Sequence, residues 1–344
     1  MSQIVMVHVG IDYHDEALQV CVLDDEGAEL FNRSLPNDPR AVRDVIIDQG
    51  WPRSIIIEAC CGAADFAAEL VRQTEWDVQL AHPGYVNRLK QGPDKTDHGD
   101  AWLLADLGRV NYVPRVWLAD QFTRQLRRLV RYREGVKAER KNVKLRIRSL
   151  LREERLLSPP ANPWTKAWKA WLASVELGEQ SRWVLDRELE QLARLEADVQ
   201  AVEKRMAMAT EEDELTQKLL AQPGIGLVTA VTMRAAIGRF NRFGSGKQLA
   251  RFCGVTPCNA SSGKRQADAG LVKAGSRELR AVVIQAAQRL PRHVEKWKVL
   301  KQRLTKSKPA NVATAAVANR WLRWLYHQMV TLPQFAEVPE TAAA

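Results

Sequence analysis

Four carboxylates stand where strands and helices can bring them together. Asp12 closes the apolar run Val9-Gly10-Ile11-Asp12, Glu58 closes Ile55-Ile56-Ile57-Glu58, and Asp97 and Asp100 lie one helical turn apart. Residues i and i+3 share a helix face, so the last pair acts from one side. Singly, an acid at a strand end is a turn former or a helix cap. Four converging on one point repel one another unless divalent cations lie between them, and hard oxygen ligands suit magnesium or manganese. Two such ions can activate an attacking oxygen and stabilise a leaving one at a phosphodiester. Asp15, Asp65 and Asp106 lack that placement.

A second constellation runs from Gly254 to Arg265 and contains Ser262-Gly263 followed by Lys264 and Arg265. It can present a hydroxyl to a phosphate and hold the charge that develops there. No histidine lies within the segment as a general base, and alone it also reads as an ordinary basic loop. Ser261 leaves the register open by one residue. Upstream, Gln222-Pro223-Gly224-Ile225-Gly226 precedes the helical Leu227 to Ile237. This resembles the turn of helix-hairpin-helix modules, in which the backbone at positions such as Gly224 and Gly226 approaches phosphate at a helix N-terminus. Downstream, Lys273 and Arg280 flank the start of a helix at Ser276 and offer further phosphate contacts. Trp321, Trp324 and Tyr326 recur at helical spacing, which favours core packing over base stacking.

The elements that must position these groups follow from periodicity. Val5–Asp12, Ala17–Leu23 and Glu29–Leu35 read as three strands of a meander. Asp38-Pro39 starts a helix, Ser54–Glu58 is a β-branched strand, Ala63–Gln73 a second helix, Asp77–Leu80 a strand and Asp97–Asn111 another helix. The order βββ-αβαβ-α is that of a ribonuclease H-like mixed sheet with helices on both faces. In that fold strands one and four are neighbours, so Asp12 and Glu58 emerge side by side. The expected class is therefore α/β plus α, with a RuvC-like N-terminal domain over residues 1–117. A basic helix and coiled-coil arm follow over 118–214, then a mostly helical domain carrying the serine loop over 215–331, and a frayed tail over 332–344. The arm rests on Leu185, Leu189, Leu192, Leu195, Val199, Val202 and Met206, which step by three or four in the manner of a short coiled coil or helical hairpin.

Charge points to a polyanionic partner. The 344 residues hold 51 Lys+Arg against 41 Asp+Glu, a net charge of +10. Residues 215–344 carry +16 of it, and residues 120–155 carry +8, with Arg124, Arg127, Arg128 and Arg131 at helical spacing. Cations that neutralise phosphates release condensed counterions, which drives nucleic-acid binding. There is no apolar run of bilayer length and no leader-like N-terminus, and the five cysteines include the adjacent Cys60 and Cys61, so a cytoplasmic protein with free thiols is expected. Cys253 and Cys258 have no second pair at zinc-ligand spacing.

Together these segments resemble the DEDD-type transposases of insertion sequence family one-ten, the bridge-RNA-guided serine recombinases. The likeness is carried by Gly10-Ile11-Asp12, Ile57-Glu58-Ala59, Lys95-Thr96-Asp97-His98-Gly99-Asp100-Ala101, Pro223-Gly224-Ile225-Gly226, Gly254 to Pro257 with Ser262-Gly263, and Lys273-Ala274-Gly275 with Leu279-Arg280, in the family's order. Cys60-Cys61-Gly62 departs from the family's usual Thr-Gly. The resemblance implies that Asp12, Glu58, Asp97 and Asp100 bind metal and that Ser262 is a nucleophile. It further implies that donor and target duplexes are cut and rejoined through a phosphoserine linkage, that a structured non-coding RNA selects the sites, and that dimers assemble into a tetramer on the nucleoid. Lys95, Lys264, Arg265 and Lys273 join the arginines as candidate nucleic-acid contacts. Two other readings use the same residues: a hydrolytic nuclease resembling Holliday-junction resolvases, and a non-catalytic nucleic-acid-binding adaptor.

Overall fold

A computed structural model describes residues 5–90, 96–156, 162–259, 268–272 and 275–331. The chain divides into two compact units, Met1–Asp120 and Gln121–Ala344. The first contains β1 (Met6–Tyr13), β2 (Ala17–Asp24), β3 (Glu29–Pro36), α1 (Pro39–Gln49), β4 (Trp51–Glu58), α2 (Ala63–Thr74), β5 (Val78–Ala81), α3 (Pro83–Leu89), α4 (Asp97–Arg109) and β6 (Arg115–Val116). These form one mixed sheet in the order β3-β2-β1-β4-β5-β6. The first three strands are antiparallel, while β4 runs parallel to β1 and β5 parallel to β4.

Strand alternation decides which face each residue buries. Val7, Val9 and Ile11 of β1, with Val20, Val22, Ile55 and Ile57 of its neighbours, pack against Val42 and Ile46 of α1 and Phe66, Ala67 and Leu70 of α2. The opposite face presents Cys21, Leu23 and Ile56 to Ala101, Leu104 and Ala105 of α4. Burial on both faces explains why β1 and β4 read as nearly unbroken apolar runs. Local signals set the helix starts: the Asp38 side chain accepts from Arg40 N ahead of Pro39, and Thr96 Oγ1 accepts from Gly99 N at 3.2 Å to cap α4.

The second unit begins with α5 (Gln121–Glu153), α6 (Lys166–Ser174) and α7 (Glu179–Ala209). Val136, Val143, Ile147 and Leu151 of α5 pack with Leu185, Leu192, Leu195 and Val199 of α7, and Trp168 and Leu172 of α6 close the seam. Ion pairs Arg133–Glu203 (2.7 Å) and Arg146–Glu188 (2.6 Å) run in opposite sequence directions, so the two long helices form an antiparallel hairpin. The heptad-like stripe of α7 therefore has its partner within the same chain.

Beyond the hairpin lie α8 (Glu214–Leu220), α9 (Leu227–Ile237), α10 (Gly246–Phe252), α11 (Arg277–His293), α12 (Glu295–Thr305) and α13 (Ala310–Val330). They surround a core that includes the fully buried Phe240, Leu249, Leu279 and Trp321, with Trp324 and Tyr326 packed against it. These aromatics are core residues, as their spacing predicts. A two-stranded ribbon, β7 (Pro257–Asn259) with β8 (Asp268–Leu271), pairs Pro257 with Leu271 and Asn259 with Asp268. Sequence periodicity gave no sign of it, because strands of three and four residues are too short to show alternation. Among the described residues, no helix is long and apolar enough to cross a membrane.

Candidate functional site

The carboxylate site is built by β1, β4 and α4 at one end of the sheet. Ile11 pairs with Ile57, so Asp12 and Glu58 are the next residues of two adjacent parallel strands and share a face. That face is the one α4 covers. Gly10 makes the approach possible: a Cβ there would run into the backbone of Ala101 and Ala105. At the other end of α4, a Cβ on Gly108 would lie 2.6 Å from Ser54 Oγ. With two glycines allowing the helix to lie against the sheet, the first turn of α4 brings Asp97 and Asp100 toward Asp12.

Burial is uneven across the cluster. Asp12 is 8% and Asp100 6% exposed, whereas Asp97 is open to solvent and Glu58 half-buried. Lys90, just past α3, reaches Asp100 Oδ1 at 2.6 Å. His14 Nε2 stands 3.3 Å from Asp12 Oδ2 and 3.5 Å from Asp97 Oδ1. Asp12 Oδ2 is buried and has no well-formed hydrogen bond, the imidazole being near it without the alignment of a good one. Burial raises the Asp12 pKa above its ordinary 3.8; His14 lowers it, while the charges of Asp100 and Asp97 add to the rise. An ionised carboxylate oxygen left in that state calls for a cation, and Asp12, His14 and Asp97 place one ligand atom each within 4.8 Å of one another. The donor set fits a divalent ion. His14 and Lys90 were not singled out by the sequence; an Asp-x-His spacing at a strand end, which puts both side chains on one face, was the available signal for the first.

The remaining predicted residues are dispersed. In α5, Arg128 and Arg131 are exposed, Arg124 is half-buried, and Arg127 Nε donates to the Ala235 carbonyl at 2.8 Å, which ties α5 to α9. Gly224 adopts φ +78° in the turn between α8 and α9, the left-handed region that favours glycine, and Gly226 precedes the first turn of α9 with no side-chain cap. Arg280 is half-buried in the first turn of α11, where Ser276 Oγ accepts from Leu279 N at 3.1 Å. Ser261, Ser262, Lys264 and Arg265 belong to the segment between β7 and β8, and they, Lys95 and Lys273 lie outside the described residues.

A sheet-borne acidic cluster and a separate basic helical unit are parts of an enzyme that processes nucleic acid, and chain-wide comparison says which kind: a transposase, which cuts and rejoins DNA. Residues 9–155 match a transposase model of the DEDD, IS110 type, and residues 216–302 match the model described as transposase IS116/IS110/IS902 family. A probable family 20 transposase of Pseudomonas aeruginosa is 28% identical over 335 residues, covering 92% of this chain and 95% of its own length. The transposase for insertion sequence element IS1111A of Coxiella burnetii is 24% identical, covering 91% of this chain and 86% of its own. The transposase for insertion sequence element IS1328 of Yersinia enterocolitica is 23% identical, with 79% and 82% covered. The chain belongs to the IS110-type transposases.

Proposed function

We propose that this transposase moves an insertion sequence by cutting and rejoining donor and target duplexes through a phosphoserine linkage at Ser262. In this reading the ribonuclease H-like unit supplies Asp12, Glu58, Asp97 and Asp100 to hold magnesium or manganese beside the reacting phosphate. The observation that carries it is the buried Asp12 carboxylate, crowded by Asp97 and Asp100 and with no well-aligned hydrogen bond to the nearby His14, a state that costs stability and is relieved by a cation. The Coxiella and Yersinia relatives, named as transposases for insertion sequence elements, support the nature of the DNA moved.

The step itself balances simply. Ser262 Oγ attacks phosphorus, the bond from phosphorus to one deoxyribose oxygen breaks, and that oxygen leaves as a hydroxyl carrying the proton the serine lost. The serine ester keeps the character of a phosphodiester, so a hydroxyl of the second duplex can displace the serine without an added energy source. A bound divalent cation withdraws negative charge from the phosphate oxygens and makes attack at phosphorus easier. Lys264 and Arg265, next to the serine in sequence, supply charge for the same phosphate. The basic residues Lys95, Arg124, Arg128, Arg131, Lys273 and Arg280, with the Gly224–Gly226 turn, grip DNA and a guide RNA through phosphates, which positions both without reading sequence, while Arg127 is held by the Ala235 carbonyl. Site choice then falls to pairing with the RNA, and self-association of dimers into a tetramer brings donor and target together.

Adduct trapping tests this. The protein, co-expressed with RNA from its element's flank, is incubated with magnesium and cognate DNA, denatured, and searched for a residue bonded to DNA. An adduct at Ser262 is expected. Cleavage without an adduct would instead make the protein a hydrolytic nuclease whose carboxylates activate water, and binding without strand breakage would make it an adaptor.

A further inference from the structure

We infer that His14 is a nitrogen ligand of the cation held by Asp12 and Asp97, and that it biases this site toward manganese and cobalt over magnesium. The inference rests on the carboxylate cluster being a cation site, as proposed above, and adds a fifth residue and a metal preference to it.

Three observations converge on His14. Its Nε2 faces two carboxylates at once, 3.3 Å from Asp12 Oδ2 and 3.5 Å from Asp97 Oδ1. In an octahedral shell with metal–ligand bonds of about 2.1 Å, adjacent ligand atoms lie about 3 Å apart, so both separations are close to those of ligands sharing one ion. Second, Asp12 is 8% exposed and its Oδ2 is buried with His14 beside it but no well-aligned hydrogen bond. An oxygen meant only for an imidazole partner would be expected to align with it. Third, the backbone that carries His14 is pinned: Asn37 Nδ2 donates to the carbonyls of His14 (3.0 Å) and Asp15 (3.2 Å). The ring is thus delivered by the end of β1 and a held loop, leaving only its own rotation to adjust.

The chemistry of the donor set gives the preference. Magnesium demands oxygen ligands, keeps its waters and gains little from imidazole. Affinity for a nitrogen donor rises from manganese to cobalt and nickel, and imidazole is a common ligand for such ions. Asp100 is drawn the other way, to Lys90 at 2.6 Å. Asp12, His14 and Asp97 are therefore the mixed nitrogen and oxygen set, while Glu58 and Asp100 remain carboxylates suited to a harder ion.

Metal binding to the full-length chain, free of nucleic acid, tests the assignment. Manganese is titrated and followed by the electron paramagnetic resonance of the free ion, magnesium is measured by competition, and pulsed resonance reads nitrogen coupling to bound manganese. The wild type should show an imidazole nitrogen coupling that is lost in His14→Ala. That variant should bind manganese about 10- to 100-fold more weakly, the range for disturbing a metal's ligand environment, while magnesium affinity changes far less. Absence of the coupling in the wild type, or equal weakening of both ions in His14→Ala, would overturn the inference. Asp12→Asn separates the two claims: manganese binding lost there but unchanged in His14→Ala overturns the role of His14 alone. Binding unchanged in Asp12→Asn overturns the carboxylate cation site and the histidine's role with it. Circular dichroism confirms that each variant is folded.

Discussion

Two buried charges in this molecule are treated in opposite ways. Arg234 of α9 is 6% exposed, and its guanidinium is held by an ion pair and side-chain hydrogen bonds. Nε reaches both oxygens of Asp213 at 3.2 and 3.0 Å, Nη1 donates to Thr123 Oγ1 at 2.9 Å, and the group lies 5.1 Å from the centre of the Phe122 ring. Asp213 in turn caps α8 through Thr216 N at 2.9 Å. Asp12 is buried to a similar degree, yet one of its oxygens has no well-aligned hydrogen bond, only the His14 imidazole at 3.3 Å, and two more carboxylates crowd it. A fully paired buried charge holds helices in register, whereas one crowded by like charges and only loosely paired costs stability, which is the pattern expected of a group kept for what it binds. Burial alone would have ranked the two equally; the completeness of the hydrogen bonding tells structure from function.

The largest effect expected from that contrast is on the paired side. Arg234→Ala takes the cation from half-buried Asp213, leaving it only the bonds from Thr216, and should destabilise the second unit by about 2–4 kcal/mol, read as a fall in the denaturation midpoint. A loss below about 1 kcal/mol would erase the distinction, since that is the value of an exposed pair. Next comes Gly10→Ala, which pushes α4 off the sheet through the backbone of Ala101 and Ala105. It should cost about 1–3 kcal/mol and also abolish DNA cleavage, because Asp97 and Asp100 travel with the helix. Retained cleavage would show that the carboxylates need not be held by this packing.

A smaller effect is read from the thiols. Burial pushes Cys21 and Cys253 up to about 12, so neither should react with a thiol reagent at pH 8 in the native protein. Cys60, Cys61 and Cys258 are exposed and should react. Partial burial raises the Cys60 thiol, and the charges of Glu58 and Asp12 raise it further. Neutralising those charges with a divalent cation should therefore quicken Cys60 modification, and Asp12→Asn should blunt the response. A rate indifferent to the cation would place no ion near Asp12.

Much of the first unit was legible because its elements announce themselves locally. Alternating and β-branched runs gave β1 to β4, Asp38-Pro39 gave the start of α1, and the neighbouring of β1 and β4 followed from element order, which put Asp12 beside Glu58. Elements of two to four residues, such as β6 and the β7–β8 ribbon, carry too few side chains to show a period. Contacts made across long separations were equally hidden. Arg127 looks like part of a basic stripe, yet it binds a carbonyl 108 residues away. His14 and Lys90 enter the site only because the loop after β1 and the end of α3 converge on α4. The stripe of α7 showed a helical partner without saying that α5 of the same chain would fill it.

The central claim, that the unsatisfied cluster is retained for cation-dependent strand cleavage, is tested most directly by measuring cleavage and thermal stability together in Asp12→Asn. Because the folded pKa of Asp12 lies above its unfolded value, its ionised form costs stability. That cost is absent at low pH and sets in as pH rises through the folded value. The account predicts no cleavage and, at pH 7 without divalent cations, a Tm raised by about 1–3 °C, with the gain shrinking toward pH 4. Cleavage that persists, or a Tm that falls as it should for Arg234→Ala, would contradict it.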